Sequence, residues 1–450
     1  MPIVSVSGIR GIVGQDLTPA FAAQIGRKFG SFIRAGRVAI ACDTRTTSEV
    51  IKNPIVSGLV SRGCTVLDLG YSSTPSVFKE VAARKLAGGI VVTASHNPPA
   101  WNGIKFIVGG GRGIFEEELE QIKKVSPSED GSGERFSPGR VFRQKSLYTD
   151  VLRARAGRGT ARSVTVGLDL AGGVGSLFIP SLLGYQGCRV HSIHDSPGIF
   201  PRTIDPTLDP LDALSNIVTS QGCDVGFAFD CDADRLVIVD ADGRKLSGDA
   251  TLLICLRYFL ENTRNRTVAV SVDTSLAAED LLREYNGRVV YAKVGEGNVM
   301  RKIVENNCGA GGEGSSGGYI EPSFVMCRDG VYASTLITKM IESEGSIKEL
   351  ISGFGKYFQD RAKVEVPRRE LIGKVLEALS QTESGELDRT DGLKIRLSDR
   401  SWVLIRPSNT ENVIRVSAEA RSAERAQELV RDYSSQLLEA YRSVEALGSP

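Results

Sequence analysis

Three segments of this chain share one pattern. VAIACD at 38–43, VTVGLD at 164–169 and VAVSVD at 268–273 are short Val-rich runs, each closing on an aspartate. Each leads into residues with helical spacing. Each is then followed by a glycine and a second apolar run: GCTVLDL from Gly63, GCRVHSI from Gly187 and GRVVYAK from Gly287. A strand, a helix and a second strand at this spacing form a βαβ unit, whose two strands lie parallel in one sheet. Val-rich strands resemble one another by chance, but chance does not readily repeat both the closing Asp and the later Gly. Three copies so widely spaced predict three related α/β domains with mixed sheets, since a solenoid would repeat at shorter intervals.

The rest of the chain fits this division. At 450 residues it is too long for a single core. Residues 125–139, VSPSEDGSGERFSPG, read as a surface loop, and helical spacing resumes at YTDVLRARA. Further breaks fall near DADGRKLSGD and RAKVEVPRRE. Beyond them GLKIRLSD, SWVLIRPS and NVIRVSAEA read as three strands. The closing segment is an amphipathic helix, with Ala423, Ala426, Leu429, Val430, Tyr433, Leu437, Leu438 and Tyr441 at three- and four-residue steps. The expected domains are therefore 1–147, 148–249 and 250–363, all α/β, and a smaller α+β domain at 364–450.

Charge and cysteine usage narrow the class. A net charge of +1 makes no electrostatic case for nucleic acid or an anionic membrane as partner. No apolar run is long enough to span a bilayer, and MPIVSVSGIRG lacks the basic-then-apolar order of a secretory signal. The 8 cysteines are scattered with no CxxC pair, which suits reduced thiols and predicts a cytoplasmic location. The 49 glycines exceed the usual share of about 7%, and the excess points to tight loops.

Four loops carry side chains fit for chemistry. In TASHNPPAWNGIKF (93–106), the run GGIVV stops at Thr93 and leaves Ser95 at an expected exposed strand end. Pro98 and Pro99 forbid helix there and stiffen the turn. A serine hydroxyl needs a base or cation to act as nucleophile, and His96 and Lys105 are near in sequence. No GxSxG elbow surrounds Ser95, so a serine hydrolase is poorly supported. In FAFDCDADRLVIVD (227–240), Asp230, Asp232 and Asp234 would repel one another unless a cation sits among them. Mg²⁺ suits such oxygen ligands, whereas the bland reading is a polar turn neutralised by Arg235. GAGGEGSSGGYIEP (309–322) offers Glu313, Ser315 and Ser316 to sugar hydroxyls, or is simply a Gly/Ser linker. In RPSNTENVIR (406–415), Arg406 and Arg415 bracket Ser408, Asn409 and Thr410, a set suited to a phosphate dianion; either arginine alone would be a surface charge. CRVHSIH is set aside as a metal site, because on a strand His191 points away from Cys188 and His194.

Together these loops resemble the α-D-phosphohexomutase superfamily over essentially the whole chain. That family carries T-[AG]-S-H-N-P, D-G-D-x-D-R, G-E-x-S-G-H and R-x-S-G/N-T-E-P; here they stand as TASHNPP, DCDADR, GEGSSGG and RPSNTEN. The family's G-I-R-G arginine matches Arg10, and its N-G-x-K matches Asn102, Gly103 and Lys105. The resemblance implies four domains around a central cleft and a phosphorylated Ser95 that exchanges its phosphate with a hexose phosphate. It implies Mg²⁺ held by Asp230, Asp232, Asp234 and the phosphoserine, with a hexose bisphosphate as intermediate and activator. Glu313, Ser315 and Ser316 would meet the sugar. Arg406, Ser408, Asn409, Thr410 and Arg415 would hold the idle phosphate. Lys105, His96 and Arg10 are the candidates for proton handling and charge at the reacting hydroxyl. Gly317 stands where many members have histidine, Ser316 where they have glycine, and Asn412 where they have proline. GEGSSGG looks closer to the glycine-rich loop of archaeal-type phosphoglucosamine mutases, and KVGEGNV resembles the K-V-G-D-x-x-V of phosphoglucosamine mutases more than the histidine-bearing loop of phosphomannomutase/phosphoglucomutases. The resemblance thus implies conversion of glucosamine 6-phosphate to glucosamine 1-phosphate by a monomer or homodimer. Phosphomannomutase/phosphoglucomutase is the alternative substrate assignment. A sugar-phosphate phosphatase and a non-catalytic sugar-phosphate binder are the readings from other classes; intact Ser95 and aspartates count against the binder, and an intact RPSNTE against the phosphatase.

Overall fold

A computed structural model describes residues 2–125, 138–158, 163–383, 385–408 and 413–447. Most of the expected 125–139 loop lies outside the described residues. The three βαβ units form. Strand Arg37–Cys42 runs through helix Ser48–Ser61 to the parallel strand Thr65–Tyr71. Thr165–Asp169 runs through helix Ile179–Tyr185 to Arg189–Ile193, and Thr267–Ser271 through helix Ala277–Glu284 to Arg288–Ala292.

The repetition continues past these units. Each first strand also takes a parallel partner on its other side: Gly88–Val92, Val225–Phe229 and Ala310–Glu313. Each of those strands is followed by an antiparallel one: Trp101–Val108, Leu236–Val239 and Gly318–Ile320. Three sheets thus share one four-strand order, which makes them mixed. The connection from the last parallel strand to the antiparallel one falls at the same place in each sheet. Those connections contain Ser95, the three aspartates, and Ser315 with Ser316. Repetition of the backbone is what brings unrelated loop sequences to equivalent positions.

The last sheet is antiparallel and five-stranded, covered by helices Ile372–Thr382 and Ala423–Leu447. Its edge strand, Phe358–Glu365, corrects the sequence reading, which placed a break near RAKVEVPRRE. Only Val364 of this strand is buried, so it lacks the apolar alternation of a half-buried strand; its ladder to Val413–Ala420 defines it. The strand also crosses the expected break at 363/364, so the chain enters the last sheet at Phe358. Helix Ala423–Leu447 buries Ala426, Leu429, Val430, Tyr433, Leu437 and Tyr441, but Leu438 turns outward, one step around from the centre of the stripe at Leu437.

One continuous apolar core joins the first three sheets, running from Val77 and Val81 through Leu168 and Leu236 to Val331 and Ile337. The last sheet has its own core. A small apolar contact of Val272 and Leu276 with Trp402 and Leu404 seats it on the third. Near it, Lys394 Nζ donates to the Val272 carbonyl at 2.5 Å, and Glu419 accepts from Leu276 N at 2.8 Å. No helix among the described residues is long and apolar enough to cross a membrane.

Asp329 joins two of these units. It caps helix Gly330–Glu344 by accepting from Tyr332 N at 2.9 Å, and it accepts the Tyr148 hydroxyl at 2.6 Å. Burial pushes its carboxyl up to about 7 against those hydrogen bonds. A carboxyl raised by folding binds more protons folded than unfolded between its ordinary value and 7. Stability therefore falls as pH climbs through that window, by at most ~1.4 kcal/mol per pH unit. Asp329→Asn keeps an acceptor for both partners and removes the titration. The thermal midpoint of that variant, followed from pH 4.5 to 7.5, should fall less steeply than that of the wild type; parallel curves would show that Asp329 does not titrate there.

Candidate active site

Ser95 is fully buried rather than exposed, which corrects the sequence reading. Two neighbours enclose it. The aspartate loop of the second sheet meets its side chain, and Arg45 lies beneath its backbone. Ser95 has φ +51, a left-handed conformation that costs a non-glycine residue about 1–2 kcal/mol. Arg45, itself fully buried, holds that shape. It donates to the carbonyls of Ser95 at 2.7 Å, Asn97 at 2.6 Å, Pro98 at 2.7 Å and Trp101 at 3.2 Å. Asp43, the closing aspartate of the first repeat, fixes Arg45 through Nε at 3.1 Å and also accepts the Thr93 hydroxyl at 2.6 Å. Thr93 in turn accepts from Ser95 N at 2.8 Å.

The Ser95 hydroxyl donates to Asp230 Oδ2 at 2.7 Å, and His96 Nδ1 lies 3.4 Å from Ser95 Oγ. Arg10 Nη1 donates to Asn97 Oδ1 at 3.2 Å on the other flank of the loop. The three proton-handling candidates differ in state. Burial lowers the His96 imidazole well below its ordinary value, and Arg235, Arg10 and Arg328 press it further, so it is neutral. Burial also works against the Lys105 charge, but Asp232 and Asp234 outweigh it and hold the ammonium above its usual range. Burial likewise lowers Arg10, aided by Arg235, although nothing removes the proton of a guanidinium at ordinary pH.

Asp230, Asp232 and Asp234 are all fully buried, and their ligand atoms lie within 4.8 Å of one another. Burial pushes the Asp230 carboxyl well up, and Asp234 and Asp232 push it further. For Asp234 burial acts the same way, but Arg328, Lys105 and Arg235 outweigh it and hold it well below the usual range. Each carboxylate divides its oxygens. Lys105 Nζ donates to Asp232 Oδ2 at 2.8 Å and to Asp234 Oδ2 at 3.0 Å. Asp230 Oδ1 accepts from the backbone of Asp234 at 3.1 Å. Asp232 Oδ1 and Asp234 Oδ1 remain buried with no hydrogen-bond partner among the described residues. Two orphaned carboxylate oxygens beside a third carboxylate are a donor set suited to a hard divalent cation such as Mg²⁺. The residues present fit the ion the sequence implies.

Glu313 is buried beside this loop, with Gly295 N donating to Oε1 at 2.6 Å and Arg328 Nη1 to Oε2 at 3.2 Å. Ser316 Oγ lies 3.3 Å from the same Arg328 nitrogen, and Ser315 is half-buried at the turn. Arg328 Nη2 reaches Asp234 Oδ2 at 3.0 Å. The residue before Gly295 in KVGEGNV, Val294, donates its N–H to Asp391 Oδ2 at 3.0 Å, and Arg406 Nη1 is 3.6 Å from that oxygen. A chain of polar contacts thus runs from the phosphate-clamp candidates to the aspartates. Arg406 and Arg415 face each other directly across paired strands, which sets two guanidinium groups side by side on one face of the sheet. Ser408 is buried at the end of its strand; Asn409 and Thr410 lie outside the described residues.

Sequence reading missed Arg45, Arg328, Thr74 and Asp391. Thr74 donates to Asp232 Oδ2. Nothing in their spacing marks them. Only the closing Asp43 of the first repeat hinted that its neighbour Arg45 had a role.

Four family models match successive stretches of the chain. They are the phosphoglucomutase/phosphomannomutase alpha/beta/alpha domain I at residues 2–131, domain II at 146–243, domain III at 247–357 and the C-terminal domain at 362–434. A phosphoglucomutase/phosphomannomutase of Thermococcus kodakarensis is 36% identical over 436 residues, covering 94% of this chain and 95% of that protein. A protein of Methanopyrus kandleri described as a probable phosphoglucosamine mutase is 35% identical over 442 residues, covering 94% and 95%. Among solved structures, a phosphoglucomutase/phosphomannomutase family protein of Burkholderia thailandensis superposes with a TM-score of 0.85 at 24% identity, covering 97% of this chain and 98% of the other. That last likeness is one of fold.

The orphaned oxygens make a direct test of the cation site. Asp232→Asn replaces a carboxylate with a poorer ligand of the same shape. Mn²⁺ binding followed by electron paramagnetic resonance should weaken by on the order of tenfold or more. An unchanged affinity would leave the three aspartates as a neutralised turn.

Proposed function

Because the chain belongs to the phosphoglucomutase/phosphomannomutase family, we propose that it moves a phosphoryl group between O6 and O1 of a hexose phosphate by way of phosphorylated Ser95. The observation that carries this reading is the seating of Ser95 Oγ 2.7 Å from Asp230, beside two carboxylates with orphaned oxygens. In the first half-reaction the bond between Ser95 Oγ and phosphorus breaks as a sugar hydroxyl oxygen bonds to phosphorus. The hydroxyl gives up its proton and Ser95 regains one. The resulting bisphosphate turns in the cleft, and the same steps in reverse return the other phosphoryl group to Ser95. A hexose bisphosphate supplied from solution would restore an enzyme that has lost its phosphate.

Residue roles follow from their positions. Arg45 and Thr93 keep the Ser95 loop in its left-handed turn. Lys105 holds Asp232 and Asp234 in place while staying charged near the phosphoryl oxygens. His96, neutral and with Nδ1 3.4 Å from Ser95 Oγ, faces that oxygen as an N–H donor, because Arg235 Nη2, which can only donate, lies 3.5 Å from its Nε2. Arg10 and Arg235 add positive charge where the phosphoryl group would sit. Arg406 and Arg415, with Ser408, Asn409 and Thr410, would grip the idle phosphate. Mg²⁺, when bound by Asp230, Asp232, Asp234 and the phosphoserine, would draw charge from the phosphoryl oxygens.

For the sugar, the small glycine-rich loop and the relatives described as phosphoglucosamine mutases support glucosamine 6-phosphate. One contact favours the second reading, glucose or mannose phosphate. Glu313 is already paired with Arg328, so a 2-ammonium group would gain less from it than from a free carboxylate.

Ser95→Ala should abolish interconversion of hexose 6- and 1-phosphates while the protein stays folded, and intact mass should lose a phosphate adduct seen on wild type. Near-normal turnover in that variant would end the phosphoserine mechanism. In the same assay, kcat/KM for glucosamine 6-phosphate measured against glucose and mannose 6-phosphates decides the substrate; the sugar with the highest value is the one assigned.

A further inference from the structure

Arg328 lies between two sites that otherwise have separate tasks. It stands just before helix Gly330–Glu344 and is 6% exposed. One guanidinium nitrogen meets Asp234 of the cation loop at 3.0 Å; the other meets Glu313 and Ser316 of the sugar loop at 3.2 and 3.3 Å. Its backbone N–H donates to Glu296 Oε1 at 2.8 Å, which fixes where the side chain starts. The space it crosses exists because residue 318 is glycine. A Cβ there would come within 2.3 Å of Arg328 Cδ and 2.8 Å of Cγ. A planar fork can serve two carboxylates at once, which an ammonium point charge does poorly.

We infer that Arg328 is a specificity-determining residue that acts as the shared counter-ion of Asp234 and Glu313, holding cation affinity down and biasing the sugar site against a 2-ammonium group. The sugar half of this inference rests on the mutase reading above. Both halves have one cause. A dication seated on Asp234 Oδ1 shares that carboxylate with the guanidinium on Oδ2, and in a buried site their repulsion is weakly screened. On the other side, Glu313 is neutralised by the same guanidinium. Its remaining lone pairs suit sugar hydroxyls, whereas an ammonium group brought to it also approaches a second positive charge.

The sign of the effect separates this role from a structural one, because a merely damaged site would bind the cation more weakly. In Arg328→Gln the Mn²⁺ dissociation constant, measured by paramagnetic resonance without sugar, should fall by roughly three- to tenfold. The ratio of kcat/KM for glucosamine 6-phosphate to that for glucose 6-phosphate should rise by about tenfold. Arg328→Lys keeps the charge but can pair with only one of the two carboxylates, so one quantity should stay within about twofold of wild type while the other moves toward its value in Arg328→Gln. Gly318→Ala, which pushes the side chain away without altering it, should move both in the same direction as Arg328→Gln and serves if that variant fails to fold. Mn²⁺ binding that weakens or stays unchanged in a folded Arg328→Gln or Gly318→Ala protein overturns the counter-ion role. A ratio that stays or falls overturns the sugar preference. If wild type turns over no hexose phosphate, the mutase reading fails, and the Mn²⁺ measurement still decides the counter-ion role.

Discussion

Three ionisable carboxylates, all fully buried within 4.8 Å of one another, set the terms for the rest of the site. Taking one carboxylate out of water costs several kcal/mol, and close like charges add to it. The surroundings answer with Lys105, Arg235 and Arg328, contributed by different parts of the chain. Lys105 comes from the first sheet, Arg235 from the aspartate loop itself and Arg328 from the turn before a helix of the third unit. The aspartates therefore bind the units together while they remain short of partners at two oxygens. A cluster whose charge is answered by three cations but which keeps two orphaned acceptor oxygens has room for a cation among those oxygens.

That arrangement depends on the repetition of one sheet pattern. In each of the first three units, the last parallel strand turns back into an antiparallel neighbour. The turn carries a nucleophile candidate in the first, carboxylates in the second and hydroxyls in the third. Loops on rigid strands can change sequence without moving the scaffold, so equivalent positions can take on different chemistry. The shared core from Val77 to Ile337 keeps the three turns in register with one another. The fourth unit has its own core and joins through a small apolar seam and a few polar contacts.

Two local features show how the scaffold supports the turn at Ser95 and the sugar loop. The left-handed backbone at Ser95 would relax without the four carbonyls gathered by Arg45. The sugar loop admits Arg328, from the turn just before helix Gly330–Glu344, through the gap at Gly318. In both cases a buried guanidinium replaces what the loop's own residues do not supply.

The sequence by itself determined the three βαβ units, three strands of the last sheet and its closing helix, because strand and helix periodicity act over a few residues. It also sufficed for the carboxylate triplet, since three aspartates at alternate positions cannot be buried together without positive charge. Other features needed the tertiary structure. The edge strand Phe358–Glu365 is held by its ladder rather than by an apolar face, so its pattern was silent. Ser95 looked exposed because the aspartate loop that covers it lies 135 residues away. Arg328 and Asp391 are ordinary charged residues in sequence; contacts with Asp234 and Glu313 for one, and with Val294 and Arg406 for the other, give them their places. The pairing of Arg406 with Arg415 likewise follows from strand register. Local pattern specifies elements, but the charge balance of a buried site is a sum over groups far apart in the chain, and only folding brings them within range.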